Sequence, residues 1–153
     1  MIFQHTIDAV LNGSKTQTRR VIKDGQTAVY ENGWTRHVSR VLHGDPGSRV
    51  KYEIGRTYAV QPGRGKKGIA RIRVTGIRSE RVQDITEEDA IEEGCQRVFE
   101  LEWCGWGRRI LLTESARERF CSLWDSIQPP GRRWDDNPLV WVIEFELVED
   151  GER

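Results

Sequence analysis

The stretch that decides the reading is "GSKTQTRR", Gly13 to Arg20. One lysine and two arginines fall within six residues, interleaved with Thr16, Gln17 and Thr18. It follows "FQHTIDAVLN", in which Ile7, Val10 and Leu11 keep an i, i+3, i+4 stripe, so Thr6 to Asn12 reads as a short helix. Gly13 suits the left-handed position that ends a helix. Thr16 to Ile22 is rich in threonine and branched residues and reads as a strand. Alternation along that strand sends Thr16, Thr18 and Arg20 to one side and Gln17 and Arg19 to the other. Lys15 precedes the strand, so the turn sets its direction. A lysine held beside guanidiniums has its charged form disfavoured, which makes it a usable base, and a threonine hydroxyl nearby is a usable nucleophile. The plain alternative is a basic edge strand that discourages aggregation.

Working outward, the 153 residues suit one domain with its own core. No run of about 18 apolar residues occurs, so no transmembrane helix is expected. "MIFQHTIDAV" lacks a basic lead and a long apolar run, and so does not read as a signal peptide. Three cysteines, Cys95, Cys104 and Cys121, lack CxxC spacing and pair with no histidine at zinc-ligand spacing. The expectation is a cytoplasmic protein with reduced thiols, no metal and no cofactor. No Ser-His-Asp signature or HExxH is present, and "PGRGKK" lacks the spacing of a phosphate loop.

The net charge of zero hides a division. Residues 15 to 81 hold 16 Lys and Arg against 5 Asp and Glu, whereas residues 82 to 153 hold 8 against 18. The first part is suited to a basic face that takes phosphate. Arg71 and Arg73 fall on one face of a strand in "GIARIRVTGIRSERVQDI" and are candidates for that face. Thr86 caps a short acidic helix, "EEDAIEEG", and Thr113 is expected to cap a longer one carrying Ala116, Phe120, Leu123 and Ile127. "TYAVQPG" and "NPLVWVIEFELVE" read as strands. Residues 23 to 50 and 95 to 112, rich in glycine and polar residues, are expected to be long loops or insertions that shape the mouth of a site. Trp124 and Trp141 lie in amphipathic segments and belong to a core. Trp34, Trp103, Trp106 and Trp134 lie in Gly- or Arg-rich stretches, where an exposed aromatic can stack a base or close a loop. The order of elements has no βαβ rhythm, which favours an α+β domain with a small curved sheet or barrel.

Three blocks resemble one family. "LNGSKTQTRR" is similar to the GxKxxExR signature of ASCH domains, with Gly13, Lys15 and Arg20 in place and Thr18 where the signature has glutamate. "VQDITEEDAIEEG" and "FCSLWDSIQPPGRRWDDNPLVWVIEFE" look like the later helices and closing strand of the family's phage-associated branch. Residues 23 to 50 and 95 to 112 lie outside the resemblance. It implies a PUA-like small β-barrel flanked by short helices, spanning residues 1 to 153 as one domain. The threonine at Thr18 is similar to the subgroup that hydrolyses 4-N-acylcytidine, a metal-independent amidohydrolase reaction. By that similarity the catalytic set is Lys15, Thr18 and Glu93, with Glu92 the alternative if the acidic helix slips by one. Substrate contacts would come from Arg20, Arg19, Gln17, Arg71, Arg73 and Trp34. Other members imply a different class of function, binding of single-stranded RNA or modified bases without catalysis, or ribonuclease action in the same basic cleft. The expected partner is thus a nucleoside or single-stranded RNA. No membrane partner is expected, and the oligomeric state stays open.

Overall fold

A computed structural model describes residues 1 to 41 and 48 to 148. The chain runs α1 (Ile7–Leu11), β1 (Gln17–Val21), β2 (Gln26–Glu31), β3 (Trp34–Val41), β4 (Ser48–Glu53), β5 (Thr57–Val60), β6 (Ala70–Arg81), α2 (Glu87–Glu92), β7 (Val98–Cys104), β8 (Gly107–Glu114), α3 (Ala116–Ile127) and β9 (Leu139–Val148). Single 3-10 turns cover Val82–Asp84 and Trp134–Asp136. This is an α+β arrangement dominated by strands.

The central sheet has four strands in the order β1-β9-β6-β5, with antiparallel pairing throughout. Its long middle strands set the two faces. On β9, Trp141, Ile143 and Phe145 point to one side, and Val140, Val142 and Glu144 to the other. The first side is covered by β3 and β4, through Val38 and Tyr52 against Val74, Ile77, Trp141 and Ile143. Beside them the N-terminal segment and α1 pack Phe3 and Val10 against Val60, Ile72 and Phe145. The second side carries α2 and α3, whose Ala90, Ala116, Phe120 and Trp124 pack on Val140 and Val142. Trp124 and Trp141 are both buried, as their amphipathic settings require.

A β-bulge lies in the middle of β6. Val74 pairs with Phe145 and Gly76 with Glu144, so Thr75 is an extra residue. Before it, Ile72 and Val74 face the β3–β4 side. After it, Ile77 keeps that side while Arg78 and Glu80 turn towards α2.

The expected barrel is not found. Among the described residues no sheet closes: β1 and β5 are the two edges of the central sheet, and β2-β3-β4 form a separate three-stranded sheet. Nor are the two expected loops loops. Residues 23 to 50 contain β2, β3 and the start of β4, joined at Asn32–Gly33 by a two-residue turn. Both turn residues have positive φ, as a type I′ hairpin demands. The part of that expectation falling on residues 42 to 47 lies outside the described residues. Residues 95 to 112 fold as most of the β7–β8 hairpin. The cap of α3 also moves: Ser115, not Thr113, accepts from Glu118 N. Glu118 in turn accepts from Ser115 N, a complete capping box.

Candidate functional site

The segment from Gly13 to Thr16 is anchored by two helix ends. Gly13 has φ of 79° and donates to Val10 O, ending α1. Lys15 N then donates to Ala9 O at 2.8 Å, and Thr16 N to Glu92 O at 2.8 Å. At the end of α2, Gly94 N donates to Ile91 O and Cys95 N to Ala90 O, with Gly94 at φ 92°, a Schellman motif. Glycine is required at 94 for a second reason. A Cβ there would stand 2.9 Å from Ala9 Cβ and 3.5 Å from Lys15 Cβ. The two helix ends and the lysine are therefore packed against one another.

This places the Lys15 side chain under the C-terminus of α2, where carbonyl groups favour a cation. Lys15 Nζ donates to Glu93 O at 2.6 Å and to Glu93 Oε2 at 2.5 Å. The pair is buried, with side-chain exposures of 3% and 5%. The sequence placed Lys15 near both guanidiniums and a glutamate of the acidic helix, and the structure seats it on that glutamate. Glu93, not Glu92, is the residue that turns inward. Glu92 instead accepts from Gln17 Nε2 at 2.5 Å.

The other oxygen of Glu93 belongs to Arg19, whose NH1 donates to Oε1 at 3.2 Å. Arg19 also donates through NH1 to Gln17 Oε1, through Nε and NH2 to Glu80 Oε1, and through NH2 to Asp89 Oδ2. Those five bonds occupy all five N–H donors of a guanidinium. Arg19 and Gln17 were expected to bind substrate. In the structure every Arg19 donor is taken within the protein, and Gln17 is buried among Asp89, Glu92 and Arg19. Arg19 thereby holds one oxygen of Glu93. Strand geometry explains the network. Arg19 and Arg78 are both register partners of Val142, one on each side of β9, and Glu80 pairs with Val140. The valines are short enough for Arg19 to reach across the strand to Glu80.

Thr18 and Arg20 take the opposite face, opposite Ile143 and Trp141. Because β1 is a sheet edge, side chains from both of its faces border one cleft of about 1120 Å³. Lys15, Thr18, Arg19, Arg20, Glu93 and Tyr52 all line it. Among the described residues nothing bonds Thr18 Oγ1, and no direct hydrogen bond joins it to Lys15. Arg20 spends one donor on Ile2 O at 2.6 Å, and its guanidinium lies 5.6 Å from the Phe3 ring centroid. Burial pushes the Tyr52 hydroxyl above its ordinary pKa, against the pull of Arg20. The cleft wall carries eight Lys and Arg residues and one acid, Glu93. Lys23, Arg40, Lys51, Arg64 and Arg132 among them are exposed, with no ion pair to a carboxylate among the described residues.

Three sequence-predicted contacts are not brought there. Arg71 donates to Thr57 Oγ1 at 2.7 Å on the exposed sheet surface, and Arg73 pairs with Glu146 at 3.2 Å. Trp34 is 78% exposed at the start of β3. None of the three borders the cleft. Of the two insertions, the first reaches the cleft through Lys23, Gln26, Arg40 and Val50, and the second contributes no lining residue among those described. Sequence reasoning missed Glu80, Asp89 and Arg78. The available signal was strand spacing, since Arg78 and Glu80 are two apart on β6. The three free cysteines form no metal site, and among the described residues no acid, histidine and cysteine cluster suits a metal.

No protein-family model matches this chain, and no curated protein matches it. Among solved structures the chain is similar to the ASCH domain from Lactobacillus crispatus JV V101. The two are 16% identical, with a TM-score of 0.45, and the match covers 93% of this chain and 69% of that one. Among the described residues, no helix is long and apolar enough to cross a membrane.

Proposed function

We propose that the cleft along β1 binds a nucleoside and hydrolyses an amide on its base, with an acylated cytosine such as 4-N-acylcytidine as the fitting substrate. One observation carries this reading: an unbonded threonine hydroxyl borders the same cleft as a buried Lys15–Glu93 pair. The signature resemblance to the acylcytidine-hydrolysing subgroup supports it. In this reading the proton of Thr18 Oγ1, or of a water in its place, passes to Lys15 Nζ after Lys15 has passed one to Glu93. The oxygen attacks the amide carbonyl, and an Arg20 N–H stabilises the oxyanion. The lysine then returns the proton to the leaving exocyclic amine. If threonine was the nucleophile, a water cleaves the resulting ester and releases the carboxylic acid. Arg19, with its five bonds, holds Glu93 in place and touches no substrate. The free thiols fit a reducing, cytoplasmic setting.

The test is release of free acid and cytidine from 4-N-acylcytidines. Thr18→Val keeps the shape of the side chain, and Lys15→Met keeps the volume. Activity in the wild type, lost in both variants with melting curves still cooperative, is the expected result. No release from any acylated nucleoside refutes the reading.

The basic cleft wall favours a second function, binding of single-stranded RNA without chemistry. Eight cations against one acid is a strong local bias in a chain whose charges cancel. Affinity for an RNA oligonucleotide that falls steeply with salt and is blunted by Arg40→Ala, together with inert acylcytidines, would favour it.

A further inference from the structure

The β7–β8 hairpin carries more exposed apolar surface than any role in the cleft explains. Its register places Phe99, Leu101 and Trp103 on one face, opposite Leu112, Ile110 and Arg108. Glu100, Glu102 and Arg109 take the other face, with Arg109 and Glu102 paired at 2.5 Å. The ribbon is thus amphipathic, but its apolar face packs on none of the three core clusters. Phe99, Leu101, Trp103, Ile110 and Leu112 are each between half and three-quarters exposed, and Trp106 at the tip is fully so. An isolated two-stranded hairpin is marginal in water, and monomers rarely expose contiguous apolar patches beyond a few hundred Å².

We infer that this face packs on the same face of a second copy of the chain, making a two-fold dimer. Two observations choose that occupant. The five side chains expose roughly 600 Å² per copy, so two facing ribbons would bury about 1,200 Å², where stable specific interfaces begin. Trp106 adds to this. The chain also holds 24 positive and 24 negative residues, so no long-range repulsion keeps two copies apart. An amphipathic ribbon can pair with its own copy, apolar face to apolar face, about a two-fold axis. The hairpin contributes nothing to the cleft wall among the described residues, so pairing leaves both clefts open.

The test is sedimentation of the full chain from about 1 to 100 µM, beside the double variant Leu101→Thr, Ile110→Thr. Those two residues are register partners, and a threonine pair is well accommodated in a strand, so the hairpin is kept while its apolar face is broken. A wild-type dimer whose Kd rises at least about a hundredfold in the variant, with unchanged circular dichroism, is the expected result. A wild-type monomer at the top concentration overturns the inference. So does a dimer indifferent to the substitutions. A monomer that pellets with phosphatidylserine vesicles, and ceases to in the variant, overturns it in favour of a lipid surface.

Discussion

Glu93→Ala is the substitution that tests the buried charge network most directly. Among the described residues Glu93 is the sole carboxylate of Lys15, which is 3% exposed in its side chain, but it is one of three acids on Arg19. Removing it strands Lys15 on one backbone carbonyl while Arg19 keeps Glu80 and Asp89. Breaking a buried pair by deleting one partner costs about 3–5 kcal/mol. Since Arg19 stays paired, the expected loss is near the lower end, about 3 kcal/mol, or roughly 6–12 °C in Tm for a chain this size. Lys15→Met should cost less, about 1–2 kcal/mol, because Glu93 falls back on Arg19. The double variant Lys15→Met, Glu93→Leu should recover part of the loss of Glu93→Ala, since no charge is then left stranded. Urea unfolding of the four proteins measures all three differences. A Glu93→Ala loss below about 1 kcal/mol, or a double variant worse than the sum of the singles, would refute the network as described.

Gly94→Ala should destabilise by about 2–3 kcal/mol, through its positive φ and the approach to Ala9. Gly13→Ala, with a similar φ and open space, should cost about 1 kcal/mol. Hydrogen bonds from Ala116 N and Arg117 N, then the Arg97 side chain, hold the Glu87 carboxyl below its ordinary value of 4.5. Its contribution is thus present above 4.5 and lost as pH falls through the lowered folded value, so Glu87→Gln should be less stable than wild type at pH 7 and converge with it in acid. Burial, then the Glu93 carboxylate, pushes the Cys95 thiol up to about 11. At pH 8 a maleimide should therefore modify native Cys95 at least about a hundredfold more slowly than the unfolded chain.

Much of the site was legible because its spacing is local. The i, i+3, i+4 stripe before Gly13 and the alternation after it placed α1 and β1, and the acidic helix followed from Thr86 and Gly94. The two sheets missed in residues 23 to 50 and 95 to 112 failed for different reasons. "ENGWTR" held a hairpin signal in Asn32–Gly33, passed over because the wider stretch is rich in Gly, Asn, Asp and Arg and so reads as loop. In the second, the alternation of Phe99, Leu101 and Trp103 was present, but tryptophans among glycines read as loop. The network around Arg19 was not legible because its four partners, Gln17, Glu80, Asp89 and Glu93, come from β1, β6, α2 and the residue that caps α2, and no single stretch of sequence contains that convergence. Closure into a barrel was expected from the order of elements and from resemblance, and only strand pairing reveals that the edges stay apart.

Thr75 gives β6 something like a shift of reading frame. Upstream of it the even-numbered Ile72 and Val74 face the apolar layer; downstream the odd-numbered Ile77 takes that face and the even-numbered Arg78 and Glu80 take the ionic one, so one strand serves two layers with opposite parity. Deleting Thr75 would leave Val74 opposite Phe145 and Gly76 opposite Glu144, so Ile77, Arg78 and Glu80 would keep their faces; what would go is the local bend and twist that the extra residue gives the strand. The exposed threonine thus shapes the sheet through its backbone and not through its side chain.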